Sequence, residues 1–377
     1  MRSSLIAAAL AATAPLLLVS CTAKSGPAAQ DEIAVTAGDS SCDIARDSAE
    51  TGTVTFRITN NGTKVTEFYV YGAGDRVLGE VENIGPGLTR QLIVSVPDPG
   101  SYSTACKPGM VGDGIRHDFT VTGQARQRDD SGKLAEAADG YKRYLVGQVT
   151  ALQETAKTFV SAVQAGDIEA AKKQYPVTRT YYERIEPVAE SFPDDLDPRL
   201  DLREADLAEG DVWTGFHRLE KDLWVRGPQP DTNRIADQLL ADIDELVAGV
   251  SAAAYSIDPV QVAGGAQTLL DEIARTKITG EEDIFSHTDL WDFQANVDGS
   301  QAAVASVRPI LDERNAELGV QIDRRFTELD GELAQYRRGD GYVGYDTVGD
   351  AQRGALSRRI DALSAVVSQV QGVVAGS

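Results

Sequence analysis

The apolar periodicity of this chain changes once, near residue 124, and that change limits the folds open to it. In "TVTFRITNNG" Val54, Phe56 and Ile58 alternate with polar residues, and the run stops at Asn60-Asn61-Gly62. A period of two is that of a strand with one buried face. "EFYVYG", "RQLIVSVPDPGSYSTAC" and "HDFTVTG" repeat it, with Gly, Pro and Asp as punctuation, which predicts a small sandwich or barrel of short strands. From "YLVGQVTALQETAKTFVSAVQAGD" onward apolar residues recur at threes and fours, the spacing of amphipathic helices. Further helical runs are expected over 167–192, 204–226, 231–253, 258–275, 288–298, 300–337 and 346–374. Residues 124–140 are charged and small and read as a linker. The expected fold is multidomain: an all-β sandwich over 32–123, then an all-α bundle over 141–377.

"MRSSLIAAALAATAPLLLVSC" has one early positive charge and an apolar run too short for a convincing membrane span. Residues 1–20 therefore read as an export signal. Leu18-Val19-Ser20-Cys21 resembles the lipobox of bacterial lipoproteins, in which the cysteine takes up lipid after cleavage, and residues 21–31 read as a tether. The mature protein is expected outside the cytoplasm, held to the cell membrane by lipid on Cys21. In that compartment Cys42 and Cys106 form an even pair, for which a disulfide is the ordinary expectation. The formal charge of −22 argues against nucleic acid as a partner and is compatible with handling cations.

The chain has three histidines. His217 stands in "WTGFHRLEKDLWVRG", three residues before Glu220. On a helical wheel both fall in the apolar arc of Trp213, Phe216, Leu219, Leu223 and Trp224, with Arg218, Lys221 and Asp222 opposite. A carboxylate facing a bundle core needs compensation. A hydrogen-bonded His–Glu pair, an arginine partner or a metal ion would each supply it. A zincin would need a second histidine, but Arg218 follows His217 and Lys221 follows Glu220. No Gly-x-Ser-x-Gly elbow occurs, and no catalytic residues are expected. "RTYYERIEPVAESF" offers Glu186 at the edge of an apolar face containing Tyr182, beside a kinking Pro187; Glu183 and Glu190 lie further round, towards solvent. In "FSHTDLWDFQANVDG" Ser286 reads as an N-cap and His287 as a loop residue. Asp289 lies near the arc of Phe293 and Val297, either as a ligand or as a first-turn acid facing the helix dipole, and Asp292 lies farther off.

"GFHRLEKDLW", "YYERIEPVAE" and "HTDLWDFQANVDG" resemble the imelysin-like domain of the EfeO family, from EfeUOB-type iron uptake systems. "TEFYVYGAGDRVLGEVENIGPG" is similar to that family's cupredoxin-like domain. The resemblance covers essentially the whole mature chain, in the same domain order. It implies a binding protein, not an enzyme, that captures ferric or ferrous iron and passes it to a ferric permease, with a dye-decolourising-type haem peroxidase as third component. The family's His-x-x-Glu metal motif maps onto His217 and Glu220; the helical wheels add Glu186 and Asp289 as further ligands, with Tyr182 beside them.

In the cupredoxin-like half no histidine precedes His117, and Glu67 stands where the upstream copper ligand would be. Cys106 occupies the C-terminal ligand loop, with Met110 after it in "CKPGM". The resemblance implies a site of Cys42, Glu67 and Cys106 for a second metal, copper or zinc among the options; a Cys42–Cys106 disulfide is the competing outcome. His117 reads as a strand surface residue, and Glu80 with Glu82 as a solvated edge. A metal-dependent peptidase and a polysaccharide-binding surface protein are the alternative functions.

Overall fold

A computed structural model describes residues 32–110, 112–125, 132–194, 196–208 and 210–376. The expected signal, the tether and Cys21 lie outside them. Nine strands come first: β1 (Glu32–Ala37), β2 (Cys42–Ile44), β3 (Ser48–Glu50), β4 (Gly52–Asn60), β5 (Thr66–Tyr71), β6 (Val77–Ile84), β7 (Thr89–Val96), β8 (Gly100–Pro108) and β9 (Ile115–Thr122). They form two sheets, β2-β1-β4-β7 and β3-β9-β8-β5-β6, with β1 parallel to β4. The expected alternation is present on β4, where Val54, Phe56 and Ile58 are buried and Arg57 is exposed. Phe56 packs against Phe68 and Phe119 of the opposite sheet, at 5.2 and 5.5 Å between ring centroids.

Cys42 on β2 and Cys106 on β8 are joined in a disulfide that staples the two sheets. Of the two outcomes left open for Cys42, Glu67 and Cys106, a second metal site or a disulfide, the structure has the disulfide. Cys106 is paired with Phe68 on β5 and both sit in the sandwich core. Glu67, one residue earlier, points to the other face, because successive strand side chains alternate. There Tyr69 Oη donates to Glu67 Oε2 at 3.1 Å.

The helices follow: α1 (Lys133–Gln164), α2 (Ile168–Glu183), α3 (Glu186–Glu190), α4 (Leu196–Asp201), α5 (Gly215–Lys221), α6 (Thr232–Ser251), α7 (Pro259–Glu272), α8 (Asp289–Leu333), α9 (Asp350–Val367) and α10 (Val370–Ala375). Tyr141, Leu145, Val149, Leu152, Ala156 and Phe159 form the buried stripe of α1, at the threes and fours of a helix with one apolar face. The helix begins at Lys133, inside the stretch read as linker.

Four helical expectations are changed by packing. The run over 204–226 has one 3-10 turn at Glu204–Asp206 and is continuously helical only from Gly215. Trp213 precedes the helix and donates its indole N–H to the Leu202 carbonyl at 2.7 Å. Pro187 does more than kink: α2 ends at Glu183 and α3 starts afresh with Pro187 in its first turn, where the missing N–H costs nothing. The expected break at Gly299 is absent, and α8 runs through it. A Cβ there would lie 2.4 Å from the Arg184 carbonyl oxygen, so this glycine admits a neighbouring backbone. The interruption comes at Asn315 (φ −159°, ψ 72°), whose Oδ1 accepts from Leu318 N–H and caps the second half. Thr288, rather than Ser286, is the N-cap of α8.

Candidate metal centre

The centre is assembled around His217 by a close backbone contact. Gly215 opens α5 with φ +80°, and a Cβ there would lie 2.1 Å from the Leu200 carbonyl oxygen. Glycine thus lets α5 start against the end of α4, which brings Asp201 beside His217. His217 is 2 % exposed and Glu220 wholly buried.

His217 Nδ1 lies 3.1 Å from Glu220 Oε2. The other oxygen, Glu220 Oε1, accepts the backbone N–H of Phe285 at 3.0 Å and of Ser286 at 2.7 Å. Glu220 therefore holds both the imidazole and the loop that carries Glu282 and Asp283. On the far side of the ring, Nε2 is buried without a hydrogen-bond partner and faces Asp201 Oδ1 and Glu282 Oε1, each at 3.5 Å. Asp283 Oδ1 accepts from Tyr175 Oη at 3.0 Å and lies 3.9 Å from His217 Nδ1.

Two buried cations brace these acids. Arg179, on α2 and fully enclosed, donates from Nε to Asp292 Oδ2 at 3.0 Å and from Nη2 to Glu282 Oε1 at 2.9 Å. It also pairs with Glu183 and Asp201. Lys277 Nζ lies 3.1 Å from Glu183 Oε2 and 3.7 Å from Glu282 Oε1. Six carboxylates (Glu183, Asp201, Glu220, Glu282, Asp283 and Asp292) thus surround two permanent cations and one histidine. The cage is short of positive charge.

Titration behaviour follows from that imbalance. Burial, the largest single effect, and the nearby Arg179 oppose a charge on His217, but Asp201, Glu220 and Glu282 together outweigh them, and the imidazole is pushed up to about 10. Burial also acts against ionised Glu282, but Lys277, His217 and Arg179 hold it well below the usual carboxylate range. Burial raises Glu183, Glu220 and Asp292. A metal ion entering at Nε2 takes the place of a proton on that ring.

Asp201, His217 and Glu282 can each offer one ligand atom within 4.8 Å of the others, as can His217, Glu220 and Asp283. An imidazole nitrogen with carboxylate oxygens is a donor set that iron accepts. The other expected ligands stand off. Tyr182 is enclosed, its hydroxyl donates to Asp197, and its ring packs on Phe216 at 5.9 Å. Glu186 lies 3.8 Å from Lys277, and Asp289 Oδ1 accepts the Asp283 N–H at 3.3 Å as a support of the loop. Burial, then Asp283, push Asp289 up to about 8.

Other placements are corrected. Glu183 and Asp292, read as outward or distant, are wholly buried partners of Arg179. Arg218 and Asp222, placed opposite the apolar arc, are buried and paired with each other. Asp201, Glu282, Asp283, Arg179 and Tyr175 were not singled out in the sequence. A local signal existed for one: Arg179 and Glu183 are spaced i, i+4 on α2.

The imelysin family model, a peptidase-family description, matches residues 137–370, and a cupredoxin-like domain model matches residues 8–121. "Iron uptake system component EfeO" of Escherichia coli is 40% identical over 352 residues, covering 91% of this chain and 91% of that protein. The chain belongs to the EfeO family. The EfeO of Shigella flexneri matches with the same identity and coverage. Auracyanin from Roseiflexus castenholzii aligns with a TM-score of 0.21 at 18% identity, over 26% of this chain and all of that one. The match covers 91% of the chain, so both halves fall within EfeO membership. Among the described residues no helix is long and apolar enough to cross a membrane.

Proposed function

We propose that this chain is an extracytoplasmic, lipid-anchored protein that captures iron in the His217 cage and delivers it to a ferric permease. One observation carries the reading: His217 Nε2 is buried without a hydrogen-bond partner and looks onto Asp201 and Glu282. A metal at Nε2, with Nδ1 held by a carboxylate, is a common metal–histidine–carboxylate arrangement. In this reading His217, Asp201 and Glu282 bind the ion, ferric or ferrous, and Glu220 orients the ring. Glu186, Asp289 and Tyr182 contribute from outside the ligand set. The anchor is lipid on Cys21, the sheet domain spans 32–123, and the bundle starts with α1 at Lys133, which shortens the linker read over 124–140. A haem peroxidase of the same system is the further partner. The EfeO relatives' name, component of an iron uptake system, supports the choice of iron.

The imelysin match keeps a metal-dependent peptidase as the rival. A catalytic metal needs an open coordination position for water, and Arg179 and Lys277 crowd this cage with competing cations.

The test is calorimetric iron titration of the mature chain made without Cys21, beside His217→Ala/Glu220→Ala. Loss of one site in the variant, with its circular dichroism unchanged, is the expected result. Equal binding by both proteins rejects the cage as the iron site. Chelator-sensitive cleavage of peptides by the wild type alone favours the peptidase.

A further inference from the structure

The sheet domain and the helices face each other across a cleft of about 940 Å³. Its helical wall carries Glu186 and Glu190, one turn apart on α3, and Glu272 at the end of α7. Its sheet wall carries Glu82 of β6 beside Tyr69 of β5, whose hydroxyl lies 3.5 Å from Glu82 Oε1. Glu82, Glu190 and Glu272 can each present an oxygen within 4.8 Å of the others. They come from three elements far apart in sequence, so no single turn or helix face explains their convergence.

Charge there is not balanced. Arg275 Nη1 lies 2.9 Å from Glu82 Oε2, and the same guanidinium pairs with Glu272. That leaves Glu190, whose Oε2 is shielded from solvent and has no hydrogen-bond partner. Glu186, 8 % exposed and lining the same cleft, also has a buried Oε2 without a hydrogen bond, though the Lys277 ammonium is ion-paired with it at 3.8 Å. Unpartnered buried carboxylate oxygens are costly, and a cation is the ligand that relieves several at once. Burial, then Glu80 and Glu82, hold Glu190 well above the usual carboxylate range, as expected where compensating charge is missing.

We propose that Glu82, Glu190 and Glu272 form a second cation site at the seam between the two domains. The donors are carboxylate oxygens without imidazole or thiolate, which selects hard ions such as ferric iron and other trivalent cations. The site shares no residue with the His217 cage and does not depend on it. The cleft also reaches Asp201 and Glu282, the outer members of that cage, so an ion held at the seam lies on the cage's open side. One wall belongs to each domain, so the site exists only while the domains are docked.

The test uses Tb³⁺ alone, titrated into the full mature chain and read by tyrosine-sensitised emission and by bound-ion count. The wild type is expected to bind two ions. Glu82→Gln/Glu190→Gln, which keeps shape and removes charge, is expected to lose one, or to weaken it more than about tenfold. His217→Ala/Glu220→Ala is expected to keep the seam ion, and adding Tyr69→Phe to that background should remove most of its emission with all three carboxylates intact. Two results overturn the proposal: unchanged ion count and affinity in Glu82→Gln/Glu190→Gln, or emission of the seam ion indifferent to Tyr69→Phe. If the Gln variant loses an ion while His217→Ala/Glu220→Ala loses none, the seam site stands and the iron reading of the cage falls.

Discussion

His217 Nε2 lies 3.5 Å from Asp201 Oδ1 although the two residues sit on different helices, α5 and α4, whose backbones touch at Gly215. The contact is made possible by a residue with no side chain, and it decides which acid completes the histidine site.

Gly215→Ala should therefore damage stability and binding together. A Cβ at φ +80° and 2.1 Å from the Leu200 carbonyl forces the helices apart, at a cost of at least about 2 kcal/mol. Gly166, at φ +70° with open space around it, is the control; its alanine variant should lose only about 1 kcal/mol. Urea unfolding with parallel iron titration checks both, and equal losses at the two positions would refute the packing account.

Asp201 and Glu220 should separate by phenotype. Asp201→Asn removes a ligand charge and is expected to weaken iron binding by at least about tenfold, ~1.4 kcal/mol. Glu220→Ala frees the imidazole and also the amides of Phe285 and Ser286. Hydrogen exchange at those two amides should accelerate in Glu220→Ala and stay slow in Asp201→Asn. Fast exchange in both would mean the loop is not held by Glu220.

Arg179→Met should cost about 3–5 kcal/mol, because it strands buried carboxylates without their partner. Glu183, Asp201, Glu282 and Asp292 all rely on this guanidinium. Added iron should then raise the melting temperature of the variant more than that of the wild type, by replacing part of the missing charge. A variant as stable as the wild type without metal would show that Arg179 does not brace the cage.

Cys42→Ser/Cys106→Ser opens a loop closed across 64 residues of sequence, for a loss of about 4 kcal/mol by chain entropy. Iron stoichiometry should not change in the folded variant, since the sulfurs are bonded to each other. Loss of a bound ion under conditions where the variant remains folded would return the cysteines to the ligand list.

What periodicity and residue chemistry determine by themselves is local. The alternation of Val54, Phe56 and Ile58 specified a strand, the stripe from Tyr141 to Phe159 specified a helix, and the spacing of His217 and Glu220 placed them on one face. Each depends on a residue's direction from its own backbone axis, which the sequence carries directly. Position along that axis, and what lies across from it, is a tertiary matter. The wheel of residues 181–192 could not show that α2 stops before Glu186, so Glu186 and Tyr182 stand clear of the histidine. Gly299 reads as a helix end in isolation but is a contact with the Arg184 backbone in the fold. Asp201, Glu282 and Asp283 became neighbours of His217 only through helix crossings and a loop pinned by Glu220. Buried charge needs compensation from outside its own element, so the pairing of these acids with Arg179 and Lys277 was settled by packing alone.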